Sequence, residues 1–93
     1  MTTYDTIRNA LPSARITTVP SANTYIVVID EVASVTLRDF GHRVRATRTW
    51  TAPHVRGVPA SEINSALLSA LSRLSAAGLF VPASMIVSAS KSI

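Results

Sequence analysis

VTLRDFGHRVRATRTW, Val35 to Trp50, decides how this chain folds. Its β-branched, alternating residues on either side of Phe40-Gly41 read as two antiparallel strands joined by a tight turn. With the turn at Phe40 and Gly41, Leu37 faces Val44 and Val35 faces Ala46 on one side of the sheet. Thr36 then faces Arg45 and Arg38 faces Arg43 on the other. The apolar pairs coincide and so select this register, because a slip of one residue sends every apolar side chain to the solvent face. Trp50 continues the apolar side, and Thr47 and Thr49 continue the polar one. Arg48 breaks the pattern by falling on the apolar side of a regular strand. Either a bulge shifts the register there, or its stem packs while its head escapes at the sheet edge.

On the polar side two arginines stand directly opposite each other and a third is diagonal to both. Like charges so placed destabilise a hairpin by a few tenths of a kcal/mol, up to ~1 kcal/mol. An anion would relieve them. Arginines and hydroxyls on a rigid strand pair suit phosphates and unstacked bases, which makes Thr36, Arg38, Arg43, Arg45, Thr47 and Thr49 candidate nucleic-acid contacts. The plain alternative is a solvated face whose arginines only guard against aggregation. The net charge of +4 rests almost wholly on arginine, eight residues against the single Lys91. Arginine is the better residue for bidentate phosphate contacts, whereas a merely soluble basic surface usually carries more lysine.

Outward from this hairpin the chain keeps the same character. Ser13 to Thr51 is a series of short β-branched runs, ARITTVP, TYIVVIDEV, VTLRDF and RVRATRTWT, punctuated by PSAN, AS and GH. That is an antiparallel meander. In the opening TTYDTIRNA, Tyr4, Ile7 and Leu11 fit a helical stripe, while the alternation Tyr4-x-Thr6-x-Arg8 fits a strand. The strand reading is preferred because the elements that follow are strands and sequential strands usually pair.

After Thr51, APHVRGVPA is a loop. Ser61 stands at an N-cap position and Glu62 favours a first helical turn. Ile63, Ala66, Leu67, Ala70, Leu71, Leu74 and Ala77 recur at three- and four-residue spacing, giving one apolar face that ends at Gly78. Serines fill most of the opposite face and let another surface come close. LFVPASMIVSASKSI then offers Pro82 as the start of a second, shorter helix. The expectation is a single α+β domain over 1–93, with an antiparallel meander sheet of about five strands over 3–51, a loop over 52–60, and two C-terminal helices over about 61–77 and 82–90.

A domain of 93 residues has a modest core of its own, yet only 15 % of this chain is charged, against roughly 25 % in an average soluble domain. The mean hydropathy is positive. Such a surplus of apolar residues in so short a chain points to burial against another chain. A membrane is the other sink, but the longest aliphatic run is the four residues Ile26 to Ile29, far short of the ~20 that a spanning helix needs. MTTYDTIRN has no apolar core of a signal peptide. The absence of cysteine excludes disulfides and thiolate metal sites. His42 and His54 lie among arginines with no carboxylate pair beside them, so neither a metal nor another cofactor is expected. The five acids are scattered, and the many serines have no histidine and acid at triad spacing, so the chain does not read as an enzyme.

The tail SEINSALLSALSRLSAAGLFVPASMIVSASKSI joins an acid-containing cap, an amphipathic helix, a glycine, an apolar-proline link and a small-residue helix that closes the chain. Placed after a basic meander, it resembles the C-terminus of the coat proteins of single-stranded RNA bacteriophages, the leviviruses. The resemblance implies an obligate homodimer in which two sheets join edge to edge and each chain's helices cross over the partner. Ile63, Leu67, Leu71, Leu74, Phe80 and Met85 would then lie in the dimer interface. It also implies assembly of dimers in the host bacterial cytoplasm into an icosahedral virion shell. The open sheet face would line the interior and bind genomic RNA, with possible repression of translation through one RNA hairpin. Family chains are longer and begin with an extra N-terminal hairpin. The other reading of the same composition is a small dimeric nucleic-acid-binding regulator that builds no shell.

Overall fold

A computed structural model describes the chain from Thr2 to Lys91. Ser92 and Ile93, part of the expected closing segment, lie outside the described residues. The fold is α+β, with helix α1 (Thr3–Ala10), strands β1 (Arg15–Val19), β2 (Thr24–Ile29), β3 (Ala33–Asp39) and β4 (Val44–Thr51), and helices α2 (Ala60–Ala76) and α3 (Ala83–Lys91). The strands form one antiparallel meander in the order β1-β2-β3-β4.

The sheet therefore has four strands, not about five, because the opening residues are a helix. A capping box decides this end. The Thr2 hydroxyl accepts from the Asp5 N–H at 3.1 Å, and the Asp5 carboxylate accepts from the Thr2 N–H at 3.2 Å. These two bonds hold the Asp5 carboxyl below its usual range, the Thr2 backbone N–H contributing most. Ile7 on the apolar stripe of α1 is fully buried. Local capping and the three-to-four spacing thus outweigh the tendency of neighbouring strands to pair.

The β1–β2 connection forms where Pro20 and Asn23 mark it, as a short 3-10 turn closed by Asn23 with φ 49°. Between β2 and β3 the turn falls at Asp30-Glu31 instead of the expected Ala33-Ser34. That placement sets Tyr25 against Leu37, Val27 against Val35, and Ile29 against Ala33, all on one face. Both turn residues have positive φ, 50° and 59°, and the Val32 N–H donates to the Ile29 carbonyl at 3.0 Å. A turn with positive φ at both central residues favours Asn-Gly. The double change Asp30→Asn with Glu31→Gly is accordingly expected to raise stability by roughly 0.5–1 kcal/mol, read as a shift in the urea midpoint. Among the described residues, the side-chain contact it sacrifices is the exposed Arg15–Glu31 ion pair at 3.2 Å, and such pairs contribute little.

α2 begins at Ala60 with Pro59 as its N-cap, so Ser61 lies inside the first turn instead of capping it. Its C-terminus is a Schellman motif. Gly78, with φ 91°, lets its own N–H reach the Ser75 carbonyl at 3.0 Å and the Leu79 N–H reach the Leu74 carbonyl at 3.1 Å. Leu79 is thereby turned into the core. α2 lies across β2, β3 and β4, while α1 and α3 flank it. The core is the layer between: Val27, Ile29, Ala33, Val35, Leu37 and Ala46 from the sheet meet Ile63, Leu67, Ala70, Leu71 and Leu74 from α2.

This arrangement bears on the interface expectation. Ile63, Leu67, Leu71 and Leu74 are at most 5 % exposed within one chain, because α2 covers its own sheet. Of the other two residues, Met85 is half-buried against the same core and Phe80 is exposed at the edge of β4. No helix among the described residues is long and apolar enough to cross a membrane.

Candidate nucleic-acid interface

Helices occupy one side of the sheet, so strand alternation leaves the other side open. Three rows of side chains cross it. Phe80, Arg45, Arg38, Thr24 and Val19 form the first, Arg48, Thr36, Ile26 and Thr17 the second, and Trp50, Ser34, Val28 and Arg15 the third.

The β3–β4 hairpin that builds the basic end differs from its expected register in two ways. The turn spans Phe40 to Arg43, closed by the Phe40 N–H donating to the Arg43 carbonyl at 2.9 Å, in place of a two-residue Phe40-Gly41 turn. Gly41, with φ 89°, permits it, and the Asp39 carboxylate accepts from the Gly41 N–H at 2.8 Å. Arg38 therefore stands opposite Arg45 instead of Arg43, and Leu37 opposite Ala46. Moving the register by two residues keeps both arginines on the open face.

The second difference is a bulge. Leu37 pairs with Ala46 but Thr36 pairs with Arg48, so Thr47 is the extra residue. Beyond it every side chain of β4 changes side. Arg48 joins the arginine face, Thr49 turns toward the helical layer opposite Val35, and Trp50 comes to the open face opposite Ser34, 51 % exposed. The expected positions of Thr49 and Trp50 are thus exchanged, and the anomaly at Arg48 is resolved by the bulge. Thr47 itself is exposed, its hydroxyl 3.4 Å from the Thr36 carbonyl. Deleting Thr47 should leave Arg48 and Trp50 on the open face, because it removes only the unpaired residue. The expected result is a thermal midpoint shifted by no more than a few degrees. Exposure of Leu67 or Met85 in the deletion variant, read as loss of the cooperative transition, would contradict the bulge assignment.

Of the six expected contacts, the structure brings Thr36, Arg38, Arg45 and Thr47 together on the open face and adds Arg43 from the turn. It removes Thr49 and supplies Arg48, Trp50 and Phe80. Phe80 arrives from the link between α2 and α3, whose backbone is clipped to the edge of β4. The Phe80 N–H donates to the Val44 carbonyl and its carbonyl accepts from the Ala46 N–H, both at 2.9 Å. Arg43 and Arg45 lie over its ring at 4.5 and 5.5 Å from the centroid, and Arg38 lies 5.3 Å from that of Phe40. These contacts offset part of the repulsion between the facing guanidiniums.

No carboxylate pairs with Arg38, Arg43, Arg45 or Arg48; among the described residues the one ion pair is Arg15–Glu31, at the far edge of the sheet. Asp39 is turned away, accepting from the Thr3 hydroxyl at 3.2 Å as well as from Gly41. Among the described residues no three His, Asp or Glu side chains gather into a metal site. The surface is thus a positive, partly aromatic platform beside a row of hydroxyls and half-buried aliphatics. Against known protein families, curated proteins and solved structures, the chain shows no match.

Proposed function

We propose that this chain is an RNA-binding coat protein, holding single-stranded genomic RNA on the open face of its sheet and assembling as dimers into a shell. The observation that carries the RNA half of this reading is the gathering of four arginines and two exposed aromatic rings, without a carboxylate partner, on the sheet face that the helices leave uncovered. Guanidiniums so placed neutralise phosphates, and Trp50 offers flat apolar surface to unpaired bases. Facing arginines that weaken a hairpin make physical sense where a polyanion comes to lie on them. The shell half rests on the resemblance of the C-terminal segment to levivirus coat proteins. Edge-to-edge pairing belongs to that half, and among the described residues β1 has no second strand neighbour in the sheet.

A regulator that binds nucleic acid without building a shell is the second reading. It draws on the burial of the α2 stripe inside one chain, which leaves the subunit self-sufficient. Expression of the protein alone, followed by native mass measurement, nuclease-protected RNA analysis and electron microscopy, separates the two. Uniform particles containing RNA support the coat protein. Free dimers or monomers that shift RNA support the regulator, and a chain free of nucleic acid defeats both.

A further inference from the structure

Phe80 stands apart from the basic residues in sequence, yet its ring lies against two of them. Arg43 belongs to a turn and Arg45 to a strand, and both guanidiniums sit on the same ring. The ring is itself held. Its backbone is bonded on both sides to β4, Leu79 before it is buried, and Gly78 ends α2 in the conformation that aims the link at the sheet edge.

We propose that Phe80 is a positioning residue for the RNA-binding face, fixing Arg43 and Arg45 in the orientation in which they meet phosphates, and that it does so without itself carrying the RNA. This rests on the RNA reading above. An exposed arginine loses side-chain freedom when it captures a phosphate, and that loss opposes binding. A ring that already confines the guanidinium through cation–π attraction removes part of the loss beforehand. Arg43 gains most, since a turn residue has no strand neighbours to confine its stem. Trp50 lies two rows away and takes no part in this ordering.

The test has two arms. In the free protein, proton NMR is expected to show the side-chain protons of Arg43 shifted by the ring current of Phe80 and returning to ordinary positions in Phe80→Leu. Absence of that shift in the wild type overturns the proposal, whatever the protein binds. In the second arm the probe is a fluorescein-labelled oligouridylate. Phe80→Leu is expected to bind it about fivefold more weakly, with an unchanged dependence on salt because the same phosphates are neutralised. Phe80→Tyr is expected to restore the wild-type affinity. In an Arg43→Ala, Arg45→Ala background, Phe80→Leu should cause no further loss.

A loss that persists undiminished without the two arginines means that the ring contacts RNA directly, and the proposal falls. Unaltered binding by Phe80→Leu also overturns it. Wild-type protein that shows the ring-current shift but binds no oligouridylate defeats the RNA reading and leaves the ordering of the arginines standing. Should leucine unfold the chain, Phe80→Met keeps the apolar bulk without the ring and answers the same questions.

Discussion

Alanine at both Arg38 and Arg45 is expected to weaken RNA binding by roughly 10- to 30-fold near 0.1 M salt and to flatten its salt dependence. Each guanidinium that neutralises a single-stranded phosphate contributes about 0.7 to the slope of log affinity against log salt. Removing two takes away about 1.4. The two residues face each other across β3 and β4 with no acidic partner, and the only charge contacts they lose among the described residues are the exposed ones with the Phe40 and Phe80 rings. Loss of their mutual repulsion should leave stability unchanged or raise it by a few tenths of a kcal/mol. Fluorescence titrations over a range of salt, with thermal melts alongside, check both parts. An unaltered slope with weakened affinity would mean that the arginines act on the fold instead of on phosphates. Reduced stability would point the same way.

Truncation of Leu71 to alanine is expected to cost about 2–5 kcal/mol. Leu71 is fully buried on the stripe of α2, at the layer where the helix meets β3. Small domains have roughly 5–15 kcal/mol in all, so the variant should sit near the threshold of folding. Urea titration should show a lower midpoint with an unchanged slope. Ser72→Ala, on the outward side of the same helical turn and exposed, should change stability by about 0.5 kcal/mol or less. A similarly small loss for Leu71→Ala would mean that the stripe is not buried within the single chain. The helical face would then have to be covered by a second copy.

That contrast bears on the apolar surplus of the sequence. The apolar residues of a chain with so little charge for its length are expected to seek another chain. Here a large part of them is absorbed internally, because α1 is a helix that closes one end of the layer with Ile7 and Leu11 and α2 spans the sheet. What remains exposed, Tyr4, Phe40, Trp50, Phe80 and Val87, is spread over both sides of the molecule. Two of these rings, Phe40 and Phe80, lie against the arginines, and Trp50 stands on the same open face.

The four strands from Arg15 to Thr51 and both C-terminal helices were legible in the sequence from their own periods, although the β2–β3 turn falls at Asp30-Glu31 and not at Ala33-Ser34. Pro20, Asn23 and Gly78 mark real turns for reasons of backbone sterics that need no tertiary knowledge. The arginine face was legible too, because Val35, Leu37, Val44 and Ala46 can share one side only if Arg38 and Arg45 share the other. Three features lay beyond local pattern. Whether residues 3–10 coil or extend was settled by a capping box against a preference for strand pairing, two effects of similar size. The bulge at Thr47 was signalled by Arg48 but not placed by it, because an extra residue can enter a strand wherever cross-strand packing gains from the shift. Phe80 could not be assigned to the arginines at all, since it reaches them through a link between helices 35 residues beyond Arg45 in the chain, and only the docking of that link on β4 closes the distance. Periodicity alone therefore determined which elements form and which side of each is apolar. Contacts between residues distant along the chain depend on how those elements pack, and they decided which side chains stand together on the open face.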